Sequence, residues 1–225
     1  MGQTVTLKAS DGHSFGAYRA DPEGKPRGAV VVIQEIFGVN HHIKDVTDRY
    51  AALGYVAIAP QVFDRAEKNF DTGYDQPSME KGRAARGKIQ TEQLLLDAQA
   101  AIDSVKSAGK VGIIGYCMGG TIAFLAAGKL SGLSAAVGYY GGQIAKNADE
   151  KPKIPTQLHF GEKDASIPMS DVDLIKQKRG GDCEIYVYAD AQHGFYCDER
   201  GSYSEPAAKL AWQRTLAFLQ KNLKK

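Results

Sequence analysis

The stretch "VGIIGYCMGG", Val111 to Gly120, runs from branched apolar residues directly into a cysteine set between glycines. "KVGIIG" has the length and β-branched content of a strand buried on both faces, and helical spacing follows from Met118 to about Gly128. Gly115, Cys117 and Gly119 thus spell G-x-C-x-G across a strand-to-helix junction, the nucleophile-elbow pattern with sulfur in place of the serine oxygen. The requirement is steric: the nucleophile sits on a sharp, strained turn, and small neighbours let helix and strand approach closely. Such a turn also places the thiol at a helix N-terminus, where unpaired N–H groups and the positive dipole end favour a thiolate and can donate to an oxyanion. The N–H of Met118 is one expected donor; that of Ile36, in "QEIFG" after an earlier strand, is the second.

Outward from the elbow, the chain alternates. "TVTLKASDGHSFGAYRA" reads as two short strands around Asp11-Gly12, a tight hairpin turn. Then come "GAVVVIQE", a helix in "IKDVTDRYAALG" stopped at Gly54, the strand "YVAIAP", and a helix over about Thr91–Lys106. Beyond the elbow helix lie the strands "LSAAVGYYG" and "PTQLHFG", a helix around Val172–Lys178, the strand "EIYVYA", and a helix over about Ser204–Asn222. The polar segment from Gln61 to about Lys88, with Gly73, Pro77 and Gly82, reads as a loop or lid. Val- and Ile-rich strands separated by helices predict an α/β fold: a mainly parallel central sheet with helices on both faces and an N-terminal antiparallel hairpin, one domain over 1–225.

Composition narrows the partners. Of the 225 residues 28 are basic and 26 acidic, a net charge of +2 spread along the chain, which argues against nucleic-acid and polybasic membrane binding. No apolar run approaches the roughly 18 residues of a membrane span, and no signal pattern opens the chain. "MGQTVT" matches the loose myristoylation pattern, but Thr4 to Lys8 alternates like a strand. Three cysteines, Cys117, Cys183 and Cys197, lack disulfide or zinc spacing, so the expected compartment is the cytoplasm.

A thiol with a pKa near 8.5 is only a few per cent ionised at neutral pH and needs a base and an orienting acid. Elbow hydrolases carry these in the order nucleophile, acid, histidine. Asp164 follows the strand "PTQLHF" and His193 follows "EIYVYAD", both beyond the C-terminal strand ends where an open α/β sheet builds its sites. The other histidines fit less well: His159 falls inside a strand, His13 in the hairpin, and the adjacent pair His41 and His42 should diverge on a helix rather than share a metal. Glu35, again at a strand's C-terminal end, should face the pocket beside Ile36 and Phe37. A carboxylate there disfavours thiolate formation, which predicts a nucleophile held protonated until a substrate draws the glutamate away.

"DGHSFGAY", "QEIFGVN", "GYCMGG", "AVGYYG", "GEKDASIP" and "QHGF" together resemble the dienelactone hydrolases, or carboxymethylenebutenolidases, of the α/β-hydrolase superfamily. The resemblance runs from about residue 10 to the end. It implies a monomeric hydrolase without a cofactor or metal that opens a small carboxylate-bearing lactone, 4-carboxymethylenebut-2-en-4-olide, to maleylacetate. It also implies Cys117 as nucleophile, His193 as base, Asp164 as orienter, Glu35 as the thiol's resting partner, and Ile36 and Met118 N–H groups as the oxyanion hole.

Two departures bear on substrate. Where the family has a carboxylate-binding arginine four residues after the histidine, this chain has Cys197, with Arg200 three residues further. The second family arginine lies before the long helix, where Arg83 and Arg86 are both candidates; their planar forks suit a carboxylate. Alternatives to the lactone are a general small ester, another lactone, or a ligand bound without turnover.

Overall fold

A computed structural model of the chain describes residues 2–224. The expected span 1–225 therefore includes Met1 and Lys225, which lie outside the described residues. Eight strands form one sheet: β1 (Gln3–Lys8), β2 (Ser14–Ala20), β3 (Ala29–Ile33), β4 (Val56–Pro60), β5 (Val111–Tyr116), β6 (Leu133–Tyr139), β7 (Thr156–Gly161) and β8 (Cys183–Tyr188). Their order is β1-β2-β4-β3-β5-β6-β7-β8. β1 and β2 pair antiparallel, β2 runs antiparallel to β4, and β3 to β8 are mutually parallel. The antiparallel hairpin therefore forms the N-terminal edge, its turn closed at Gly12, whose φ of 89° suits glycine.

Six helices accompany the sheet: α1 (His41–Ala52), α2 (Gln76–Gly87), α3 (Thr91–Val105), α4 (Met118–Lys129), α5 (Met169–Arg179) and α6 (Glu205–Asn222). α1 and α6 share one face, where Tyr50 packs on Trp212 with ring centroids 5.0 Å apart. α3 and α4 pack together over β3, β4, β5 and β6 on the other. Covered on both sides, β3, β4 and β5 are buried at every residue, which is why they read as unbroken apolar runs. No helix among the described residues is long and apolar enough to cross a membrane.

The register aligns Ile33 of β3 with Gly115 of β5. The loop after β3 and the turn after β5 thus leave the sheet side by side. "GAVVVIQE" stops being strand at Ile33, so Gln34 and Glu35 already belong to that loop.

The segment 61–88 is not the continuous loop its polar composition suggests. A 3₁₀ turn occupies Val62–Arg65, and α2 takes up the second half. Asp75 caps α2 by accepting from Ser78 N at 2.9 Å, and Pro77 stands in the first turn, where its missing N–H costs no hydrogen bond. Gly82 sits inside this helix for a packing reason: a Cβ there would run into the carbonyl of Ile36. The first half is anchored too. Arg65 makes two 2.8 Å bonds to the buried Asp97 of α3 and reaches Asp11 in the hairpin. Asp64 accepts from Gly16 N and Asn69 N, both at 2.8 Å. Removing one partner of a buried pair such as Arg65–Asp97 costs about 3–5 kcal/mol, so this segment is a wall of the molecule.

Candidate active site

Cys117 stands between β5 and α4 with φ 55° and ψ −116°, a conformation strained for any side chain. Glycines make the turn possible: a Cβ on Gly115 would strike the carbonyl of Gly119, and one on Gly119 would strike that of Ile33. Cys117 N donates to Tyr139 O at 3.0 Å, locking the turn to β6. Neither Ile36 N nor Met118 N donates a hydrogen bond among the described residues, so both expected oxyanion donors are free. The Ile36 backbone is held by Gly82 of α2 behind it, and the next residues by Thr72 N donating to Phe37 O at 3.0 Å.

Asp164 and His193 meet across the ends of β7 and β8. His193 Nδ1 lies 2.7 Å from Asp164 Oδ2, and the aspartate, 3% exposed, is further fixed by Ser166 N donating to Oδ1 at 2.8 Å. Burial works against a charge on His193, yet the neighbouring Cys117 and the hydrogen bond to Asp164 raise the imidazole from 6.5 to about 10.

Glu35 is also at the site, but its hydrogen bond goes elsewhere than the thiol. Arg200 Nη1 donates to Glu35 Oε1 at 3.0 Å, with the two side chains 14% and 1% exposed, and Oε2 has no partner among the described residues. The guanidinium lies over the rings of Phe37 (5.5 Å) and Tyr74 (5.8 Å). It passes so close to Gly194, next to His193, that a Cβ there would meet it; the φ of 77° likewise demands glycine. Arg200 therefore reaches the pocket from its later position. Cys197 does not: it is buried behind Glu35 beside Tyr74, and burial followed by the Glu35 charge pushes its thiol up to about 12.

These groups open into a cleft of about 660 Å³ lined by Ile36, Phe37, Cys117, Met118, His193 and Arg200, with α2 and α3 as one wall. Arg83 and Arg86 both line it. Arg86 is spent on structure, donating to Ile89 O at 2.6 Å and Thr91 Oγ1 at 3.0 Å across the α2–α3 corner, whereas Arg83 makes no ion pair or side-chain hydrogen bond among the described residues. The remaining histidines lie outside. His159 is sealed in the core, and His41 and His42 diverge as expected, with side chains 87% and 1% exposed.

Two features escaped sequence reading. The Glu35–Arg200 pair joins residues 165 apart with no local pattern to announce it. Tyr140, just after β6, has φ 38° and a buried, unpartnered hydroxyl, and its ring stands 5.1 Å from that of His193. The flanking "GYYG" motif hints at a tight turn but not at a tyrosine bearing the strain.

Comparison with known proteins places this arrangement. The model of the dienelactone hydrolase family matches residues 15–223. A Synechocystis sp. protein named "Putative carboxymethylenebutenolidase" is 40% identical over 213 residues, 87% of this chain and 86% of its own. The carboxymethylenebutenolidase of Pseudomonas putida is 34% identical over 227 residues, 96% of this chain and 94% of its own. A Klebsiella pneumoniae crystal structure, described as "Putative Dienelactone Hydrolase", superposes with a TM-score of 0.84 at 33% identity, covering 97% of this chain and 99% of that one. With its parallel sheet, antiparallel N-terminal hairpin and cysteine elbow, the chain belongs to the dienelactone hydrolase family, ester hydrolases of the α/β-hydrolase fold.

Proposed function

We propose that the cleft hydrolyses a small ester or lactone through an acyl-enzyme on Cys117. The observation that carries this reading is the elbow cysteine facing a His193 that is backed at 2.7 Å by Asp164. His193 takes the thiol proton and the thiolate attacks the carbonyl carbon. The N–H groups of Ile36 and Met118 stabilise the oxyanion, and the C–O bond breaks as His193 protonates the departing oxygen. Water then attacks the thioester; His193 accepts its proton and returns it to sulfur as the acid leaves.

The substrate we favour is dienelactone, 4-carboxymethylenebut-2-en-4-olide, opened to maleylacetate. Its carboxylate would be met by Arg83, which has no ion-pair partner among the described residues, and by Arg200 if Glu35 yields it. A general small-ester hydrolase is the second reading, favoured by the Glu35–Arg200 pair and by Cys197 in place of an arginine.

The test is the ultraviolet loss of the conjugated lactone, with a neutral aryl ester as comparison. Turnover of both by the wild type and of neither by Cys117→Ala is expected. If Arg83→Ala raises KM for the lactone about tenfold while leaving the neutral ester unaffected, the lactone reading holds. Turnover of the ester alone transfers the assignment to the second reading.

A further inference from the structure

The cleft does not end at the cysteine. Beyond Met118 it continues along α4, past Thr121, Ile122 and Leu125 to Lys129. The spacing of Met118, Ile122, Leu125 and Lys129 is that of one helical face, so a single stripe of α4 forms the floor of an arm. At 1.5 Å per residue, Leu125 lies about 12 Å and Lys129 about 18 Å along the helix from Cys117. Leu95 and Glu92 of α3 form one wall, and the segment through Asn147 forms the other.

The chemistry changes along this arm. Ile122, Leu125 and Leu95 make its middle apolar, showing edges that are mostly buried. Its far end is polar and internally neutralised, with Lys129 Nζ 2.6 Å from Glu150 Oε1. A small lactone fills only the part near Cys117.

From this geometry we infer that the arm takes the acyl chain of an ester, a linear aliphatic chain of about eight to ten carbons. The inference rests on the hydrolase reading above. The side of the ester follows from the fold. His193, which protonates the departing alcohol, comes from the β7–β8 end of the sheet. The floor of the arm, α4, lies over β5 and β6, its wall through Asn147 follows β6, and its α3 wall packs over β3 and β4, so within the arm the α3 side is the one farther from His193. The leaving group exits toward His193, and the group that stays on sulfur lies toward α3.

The experiment is a series of 4-nitrophenyl esters from acetate to decanoate, which hold the leaving group constant, beside acetates of alcohols from ethyl to octyl. We expect kcat/KM to rise about threefold per methylene along the acyl series, levelling near eight carbons, and to stay flat along the alcohol series. In Glu92→Trp and Asn147→Trp, which place a bulky ring in either wall, the ratio of kcat/KM for octanoate to acetate should fall about tenfold or more; the ratio cancels any general loss of activity. Acetate turnover with a flat acyl series, a rise along the alcohol series instead, or an unchanged ratio in both variants overturns the inference and leaves the hydrolase reading standing. Failure to turn over any ester overturns both.

Discussion

His159, sealed inside β7, and His193, half-buried in the loop after β8, belong to one side of the same sheet, and their surroundings drive them in opposite directions. His159, on β7, is stacked on Tyr139, Tyr186 and Tyr188, hydrogen-bonded to Tyr188 Oη at 2.7 Å and to Gln157 Oε1 at 2.9 Å, and pairs with no carboxylate among the described residues. Burial, helped by the Arg214 charge, lowers it from 6.5 to about 3, so it stays neutral. His193 is also desolvated but faces Cys117 and Asp164, and is raised to about 10. Burial alone silences an imidazole; a carboxylate hydrogen-bonded to one nitrogen and a facing cysteine restore its charge where chemistry can use it.

The sharpest way to break this contrast is to remove the thiol. Cys117→Ala should lower ester turnover by about 10⁴-fold or more with the circular dichroism spectrum unchanged. An NMR titration of the same variant should find His193 moved down toward 6.5 and His159 unmoved.

Asp164→Asn tests the other partner. It removes the negative charge facing His193 Nδ1 and permits the wrong tautomer, so kcat should fall about 10³-fold, and less of the imidazolium should survive at neutral pH. A loss under tenfold would mean that the aspartate does not orient His193.

Stability against pH separates the two histidines next. His193 has a folded pKa above its unfolded one, so its contribution is complete below pH 6.5 and is lost as pH rises through about 10. His159 has the reverse shift: the unfolded chain takes up its proton first, and the fold loses stability as pH drops from 6.5 toward 3. Replacing His159 by Gln should therefore reduce the loss of Tm between pH 7 and pH 4 and leave the alkaline limb as it was. An unchanged acid limb would show that His159 is accessible to protons in the native state.

The smallest effect concerns the bond that orients His159. Tyr188→Phe should cost about 1 kcal/mol, or about 2–4 °C in Tm for a chain of this size, without altering ester turnover.

Much of this was legible in the sequence because it is local. Strand runs, helix stops and the glycines around Cys117 act through nearest neighbours, and the buried parallel strands announce themselves by unbroken apolar runs. Asp164 and His193 could be read from their places after strands because in a parallel sheet all such loops emerge at one edge. The helix over Gln76–Gly87 was hidden by its polarity and by Gly82, a residue chosen for close approach to Ile36.

Sequence by itself thus determined the sheet, its alternating helices and the order of the cysteine, aspartate and histidine. Tertiary structure decided the rest: that Glu35 bonds to Arg200, that Cys197 is buried while Arg200 reaches the cleft, that Arg86 is spent on the α2–α3 corner while Arg83 has no partner among the described residues, and that one histidine is kept neutral and another is held charged. The physical reason is range. Backbone propensity is set within a few residues, whereas the charge and partners of a side chain are set by whatever the fold brings within a few ångströms, here from residues as far as 165 positions away.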